Sequence, residues 1–422
     1  SIRYAMGQSS SRRRTASSPA MAFVVQSLTG SATTAVSSLA AMSMTPYTAE
    51  WLDLSSESSY RQPTRLPRRI TPPRSGAVSF SDPSSERLFT FAGYAEVPSS
   101  GDGGGSPLDR FVLNDLFEFV PYDEGEEAAP WGWMRVDQET APGPRLATTA
   151  STIGGKAAVM GGWDPQTTGS GGVILEDVAL LDLDTLEWTL DGAPPLPDGP
   201  TSRHVSATVR TADGKSVICL HNHRCTDHVL LLSQEEGGDV SWEKQAVSGD
   251  VPSSRGLHCA AAIDGGIERG VVIFGGAAQD QAMSNEAFFL DANIWRWTKL
   301  DCGDKVPPPR AGASMCQLDE RTVILFGGAT PGSGGLVGLN DLWILQIDPN
   351  KGKGTWTCLM EHGSSDANVR VKPPGRNAAT LSLVDTLSLP KSCGIGRDEK
   401  AYLLQGGWDP FRVTFNDMFV LK

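Results

Sequence analysis

Short apolar runs alternate with small polar clusters along most of this chain, and the alternation itself repeats. Runs of about five to eight residues rich in Val, Ile, Leu and Phe, bounded by Gly, Pro, Asn or Asp, predict strands. One order of signals recurs six times. Each unit opens on a Pro shortly before an Arg: Pro73-Arg74, Pro144-Arg145, Pro200-Thr-Ser-Arg203, Pro252-Ser-Ser-Arg255, Pro309-Arg310 and Pro374-Gly-Arg376. Successive arginines lie 71, 58, 52, 55 and 66 residues apart. A first apolar run follows, then a turn and a second run ending in small residues, as in Phe91-Ala-Gly93, Met160-Gly-Gly162, Phe274-Gly-Gly276 and Phe326-Gly-Gly328. After a variable loop comes an acidic residue and a third run, as in Asn114-Asp115-Leu-Phe and Asn340-Asp341-Leu-Trp. A Trp closes the unit at Trp133, Trp188, Trp242, Trp297 and Trp356.

Four strands per unit make a small antiparallel sheet that is apolar on both faces. Such a sheet cannot stand alone. Radial packing around an axis buries both faces and protects the edges. The expected fold is all-β, a six-bladed β-propeller. Its blades fall at about 72–137, 143–192, 201–247, 253–301, 308–360 and 374–422.

The Gly pair, the spaced Asn-Asp before an apolar strand and the following Trp together resemble kelch repeats. Phe326-Gly-Gly with Leu339-Asn-Asp-Leu-Trp343, and Gln405-Gly-Gly with Phe415-Asn-Asp-Met-Phe419, carry the resemblance most closely. It covers residues 47–422. The third unit departs from it, and is aligned here with His221-Asn222 for the Gly pair and Thr226-Asp227 for Asn-Asp; the fourth has Glu286 for Asp. The sixth unit reaches Lys422 without a closing Trp, whereas Trp51 stands in an unassigned apolar segment, Tyr47–Leu54. Related propellers close their ring with such a strand, so residues 47–55 are expected to complete blade six. An incomplete ring is the alternative.

With strands a to d running from the axis outward, the d–a and b–c connections emerge on one face. The variable b–c loops and the six Pro-Arg segments therefore crowd together. Two readings of Arg74, Arg145, Arg203, Arg255, Arg310 and Arg376 stand. Each could pair with an acid or carbonyl of its own or the next blade. Alternatively, the ring could present guanidinium groups to a carboxylate or phosphate of a partner. The kelch resemblance implies the second for some members, since related propellers bind acidic segments through arginines. Trp163 and Trp408, beside their Gly pairs, are candidate binding anchors on the same face.

The blade 3 stretch His221-Asn-His223-Arg-Cys225-Thr-Asp-His228 is a weak metal candidate, because imidazole and thiolate suit zinc. A tight hairpin is the competing reading. No phosphate-binding glycine loop, nucleophile elbow or HExxH is present. The function expected is thus a non-catalytic interaction scaffold, an adaptor binding a protein or peptide partner, with an acidic segment the chemistry of first choice. A metal-dependent enzyme or small-ligand binder at the channel mouth is the alternative. No cofactor is expected, and a monomer is the expected state.

Composition narrows this further. The total net charge is −13. Residues 1–49 contain no acid and carry Arg3, Arg12, Arg13 and Arg14; removing those four charges leaves −17 on residues 50–422. That argues against nucleic acid as the partner. No run approaches a membrane span. Seven Cys without a CxxC pair suit a reducing compartment. The Ser- and Arg-rich segment 1–46 reads as a disordered tail or as a transit peptide. Localisation is accordingly cytoplasmic, or plastid or mitochondrial in the second case.

Overall fold

The computed structural model describes residues 47–54, 68–82, 84–98, 108–121, 131–166, 171–266, 268–278, 282–364, 371–396, 398–410 and 412–422. The expected tail at 1–46 lies outside them. The described residues form six sheets of four or five strands, antiparallel but for one edge pair in two of them, and two two-stranded hairpins; their only helical pieces are three-residue 3-10 turns. No helix among them is long and apolar enough to cross a membrane.

Each of the six larger sheets is one blade. In blade 5 the strands are Ser314–Asp319 (a), Thr322–Phe326 (b), Leu342–Asp348 (c) and Lys353–Met360 (d). Blade 3 runs Val205–Arg210, Ser216–His221, His228–Gln234 and Val240–Ala246. Blades 1 and 4 are wider than the four strands expected. The chain that enters each of them runs parallel to its outer strand, at Arg68–Arg69 and Ser248–Gly249, and adds a short fifth.

The ring closes through blade 6. Trp51–Asp53 pairs antiparallel with Met418–Leu421, in the register Trp51↔Leu421 to Asp53↔Phe419. Backbone bonds extend the pairing at both ends: the Glu50 and Lys422 N–H groups each donate to the other's carbonyl, and Leu54 N–H donates to Met418 O.

Apolar side chains collect into six clusters, one per blade interface. This explains the repeated Trp. The outer-strand Trp of each blade enters the cluster shared with the preceding blade: Trp133, Trp188, Trp242, Trp297, Trp356 and Trp51 in turn. Trp51 is 1% exposed and lies edge-on to Phe326 of blade 5 and Phe419 of its own blade.

At the axis a closed circuit of backbone hydrogen bonds joins all six blades. Ala147 N–H donates to Gly76 O, Arg203 to Ala147, Leu257 to Arg203, Gly312 to Leu257, Ala378 to Gly312 and Gly76 to Ala378, at 2.8–3.1 Å. All six residues sit at positive φ, between 51° and 65°. Ala, Arg and Leu adopt that conformation at a cost of about 1–2 kcal/mol each, so closure holds them there.

Trp51→Ala should cost about 3–5 kcal/mol, as for a buried aromatic removed from a packed interface. Urea unfolding checks this; a midpoint near wild type would mean that the N-terminal strand does not carry closure.

Candidate functional site

Five of the six arginines are locks inside single blades. Arg74, Arg145, Arg255, Arg310 and Arg376 are each at most 2% exposed. Four of them grip a carboxylate two-pronged. Arg310 Nη1 and Nη2 reach Asp341 Oδ1 and Oδ2 at 2.8 and 2.7 Å. The same pairs are 2.9 and 2.8 Å for Arg145–Asp177, and 3.2 and 3.4 Å for Arg74–Asp115. Arg376 grips Asp417 likewise. Arg255 reaches Glu286 through one bond of 3.1 Å. Each Nη1 also donates to the carbonyl just after strand b: Ala92, Gly161, Gly275, Gly327 or Gly406. The guanidinium thus ties the d–a connection to the b–c connection of its own blade. A partner-facing ring of six guanidiniums needs correcting to this, because buried groups whose donors are committed within the blade do not face a partner.

Arg203 is not the sixth lock. In blade 3, Val205 pairs with His221 as Cys259 pairs with Phe274 in blade 4. That register puts Thr201 in the arginine's place. Thr201 O accepts the Gly162 N–H at 2.8 Å, as Arg145 O accepts that of Gly93. The same register moves the Gly pair to Asn222-His223 and the carboxylate's position to His228, one residue beyond the sequence alignment. Arg203 occupies the positive-φ position of the axial circuit instead. Its side chain is exposed on the loop-bearing face, with its guanidinium 5.8 Å from the Trp163 ring. It is the only charged residue among the six circuit positions.

The residue after the second glycine pairs with the chain just beyond the arginine, and its side chain belongs to this face. Bridges Asn377↔Trp408, Ser75↔Tyr94 and Leu146↔Trp163 put three half-buried aromatics on the consecutive blades 6, 1 and 2. Blades 4 and 5 have Ala277 and Ala329 there. Tyr94 was missed in the sequence, although its place after Gly93 matched those of Trp163 and Trp408. Its hydroxyl donates to Glu96, which also pairs with Arg110. Burial first, and then Glu96, pushes the Tyr94 phenol up to about 12. The b–c hairpins of blades 1, 2, 5 and 6 add exposed Phe111, Val173, Ile174, Val337 and Val413. The arc is therefore flanked by apolar surface.

The blade 3 candidates do not converge as one metal set. His221 turns into the interface with blade 4, where its Nδ1 lies 3.0 Å from Nε2 of buried His258. His223 is exposed. Cys225 and His228 do approach one another, and Asp198 of the preceding connection joins them. Asp198 was missed because it lies some thirty residues before His228. Burial works against its carboxylate, but hydrogen bonds from Lys244 and His228 outweigh that and hold it below the usual range. Burial pushes the Cys225 thiol up to about 12.

The KLHDC2/KLHL20/DRC7 Kelch-repeats domain matches residues 43–267 and 221–422. Adagio protein 3 of Arabidopsis thaliana is 30% identical over 289 residues, 64% of this chain and 41% of that protein. Kelch domain-containing protein 2 of Bos taurus is 29% identical over 131 residues, 31% of this chain and 30% of that protein. The chain thus spans well under half the length of these relatives. The solved structure of YjhT shares the fold at 16% identity, with a TM-score of 0.52 over 83% of this chain and 95% of that one.

Two predictions follow from the buried charges. Arg310→Ala leaves Asp341 buried and unpaired and should cost about 3–5 kcal/mol, whereas Arg203→Ala should stay within about 0.5 kcal/mol of wild type; equal losses in thermal unfolding would remove the distinction. Burial, followed by nearby charges including Arg255, lowers His221 to about 3, and burial lowers His204 to about 4. His258 falls in the same direction. The unfolded chain then binds more protons, so the stability from these groups is complete above about pH 6.5 and is lost as pH falls toward 3. His221→Phe, the residue of the matching place in blade 4, should flatten that decline by up to about 1.4 kcal/mol per pH unit. An unchanged slope would mean that His221 is not held neutral.

Proposed function

The chain belongs to the kelch-repeat family of β-propellers, and from that premise we propose that it is a non-catalytic protein-interaction module whose partner docks on the loop-bearing face. Kelch-repeat propellers typically serve protein interaction. The observation that carries the choice of face is the arc of Trp408, Tyr94 and Trp163 with Arg203 beside it. The framework arginines are used up inside the blades, whereas these four side chains break the repeat's symmetry and keep surface toward solvent. Half-buried aromatics beside an Arg have the composition of binding hot spots, with large contact area at little entropic cost. Arg203 favours an acidic segment, and against a net charge of −17 on residues 50–422 its positive charge is local and selective.

The test begins with affinity capture on the full chain and continues with the captured partner's affinity for purified variants. Trp163→Ala and Arg203→Glu should each weaken binding by roughly tenfold or more, with unfolding temperatures near wild type. If both variants bind as wild type does, the partner occupies another surface.

A further inference from the structure

Blade 3 lacks the arginine–carboxylate lock of the other five blades, and three metal-ligating side chains gather where that lock would be. Thr201 takes the arginine's place and His228 the carboxylate's. Asp198 comes from the d–a connection, Cys225 from the b–c connection, and His228 opens strand c. A carboxylate oxygen of Asp198, Cys225 Sγ and a ring nitrogen of His228 lie within 4.8 Å of one another. Cys225 is 2% exposed, and the Asp198 side chain 4%.

His228 bridges two carboxylates. Its Nδ1 lies 2.7 Å from Asp227 Oδ1 and its Nε2 lies 3.0 Å from Asp198 Oδ2. A neutral imidazole donates one proton only. If Nδ1–H serves Asp227, the Nε2 lone pair faces a second carboxylate. A metal ion on Nε2 would leave Nδ1–H to serve Asp227. Asp227 on Nδ1 is the carboxylate–histidine arrangement that orients metal-bound imidazoles.

The remaining contacts fit a divalent ion. Cys225 Sγ accepts the backbone N–H of Asn222 at 3.4 Å and as a thiol donates to Leu220 O at 3.9 Å, so a bound ion would take the place of that proton. Lys244 Nζ holds the other oxygen of Asp198 at 2.6 Å and leaves Oδ2 for the site. With the Cys225 proton released to solvent, one thiolate and two carboxylates oppose Lys244, and a dication balances the remainder.

We propose that Asp198, Cys225 and His228 form a site for a zinc-class divalent cation that ties the two connections of blade 3 together, as the arginine locks do elsewhere. The donor set of imidazole, thiolate and carboxylate favours zinc over magnesium or calcium, and three protein ligands leave the fourth tetrahedral position to water.

The experiment is zinc titration of the chelator-stripped full chain against a chromophoric competitor, with cobalt as a spectroscopic probe. Wild type should bind one zinc per chain and give a thiolate-to-cobalt charge-transfer band. Cys225→Ser should abolish that band, and His228→Gln should weaken zinc by at least about tenfold. His362→Gln, on blade 5, should change neither. Asp198→Asn keeps the side chain's shape and carries the test if Cys225→Ser does not fold. Wild type without zinc affinity, or folded Cys225, His228 or Asp198 variants that retain it, would overturn the site and leave His228 as a hydrogen-bonded bridge between Asp198 and Asp227.

Discussion

Ring closure is the constraint on which the rest of this structure depends. Six sheets that are each apolar on both sides are stable only if every blade has two neighbours, so the last must meet the first. Two devices accomplish this. At the rim, Trp51–Asp53 completes blade 6 across nearly the whole length of the chain. At the axis, six consecutive backbone hydrogen bonds form a circuit with no free end. The circuit tolerates Ala147, Arg203, Leu257 and Ala378 in a left-handed conformation that their side chains disfavour.

Within each blade the arginine lock does a related job on a smaller scale. In the five blades that have it, the d–a and b–c connections meet through a single backbone bridge, as at Ser75↔Tyr94, and they must stay aligned for the next blade to pack. A buried guanidinium bonded both to a carboxylate and to the carbonyl beyond strand b joins them. Such a group, at most 2% exposed, is out of a partner's reach. Regular repetition therefore marks framework here, and departures from the repeat mark surface available for recognition: the aromatics on blades 6, 1 and 2, and Arg203.

Blade 3 concentrates the departures. Its b–c connection is the shortest, Asn222-His223 replaces the glycines, and Thr201 replaces the arginine. Arg224 partly compensates by reaching back to Pro200 O and Thr201 Oγ1 at 3.0 and 2.9 Å. The same substitutions bring His221 and His258 together in the interface with blade 4, and Asp198, Cys225 and His228 together on the loop-bearing side.

The sequence by itself determined the repeat, the strand order in each blade, the six-fold ring and its closure by the N-terminal strand. Strand period, turn residues and the recurring Trp are local signals, and each blade repeats them independently. It also placed Trp163 and Trp408 beside their glycines. Only the tertiary structure decided the role of the arginines, because whether Arg310 faces solvent or Asp341 depends on a strand some thirty residues away. It alone decided the register of blade 3, where Pro200-Thr201 and Pro200 to Arg203 both match a motif of variable spacing. Cross-strand hydrogen bonds count residues, and they assign the slot to Thr201 and the mouth of the channel to Arg203.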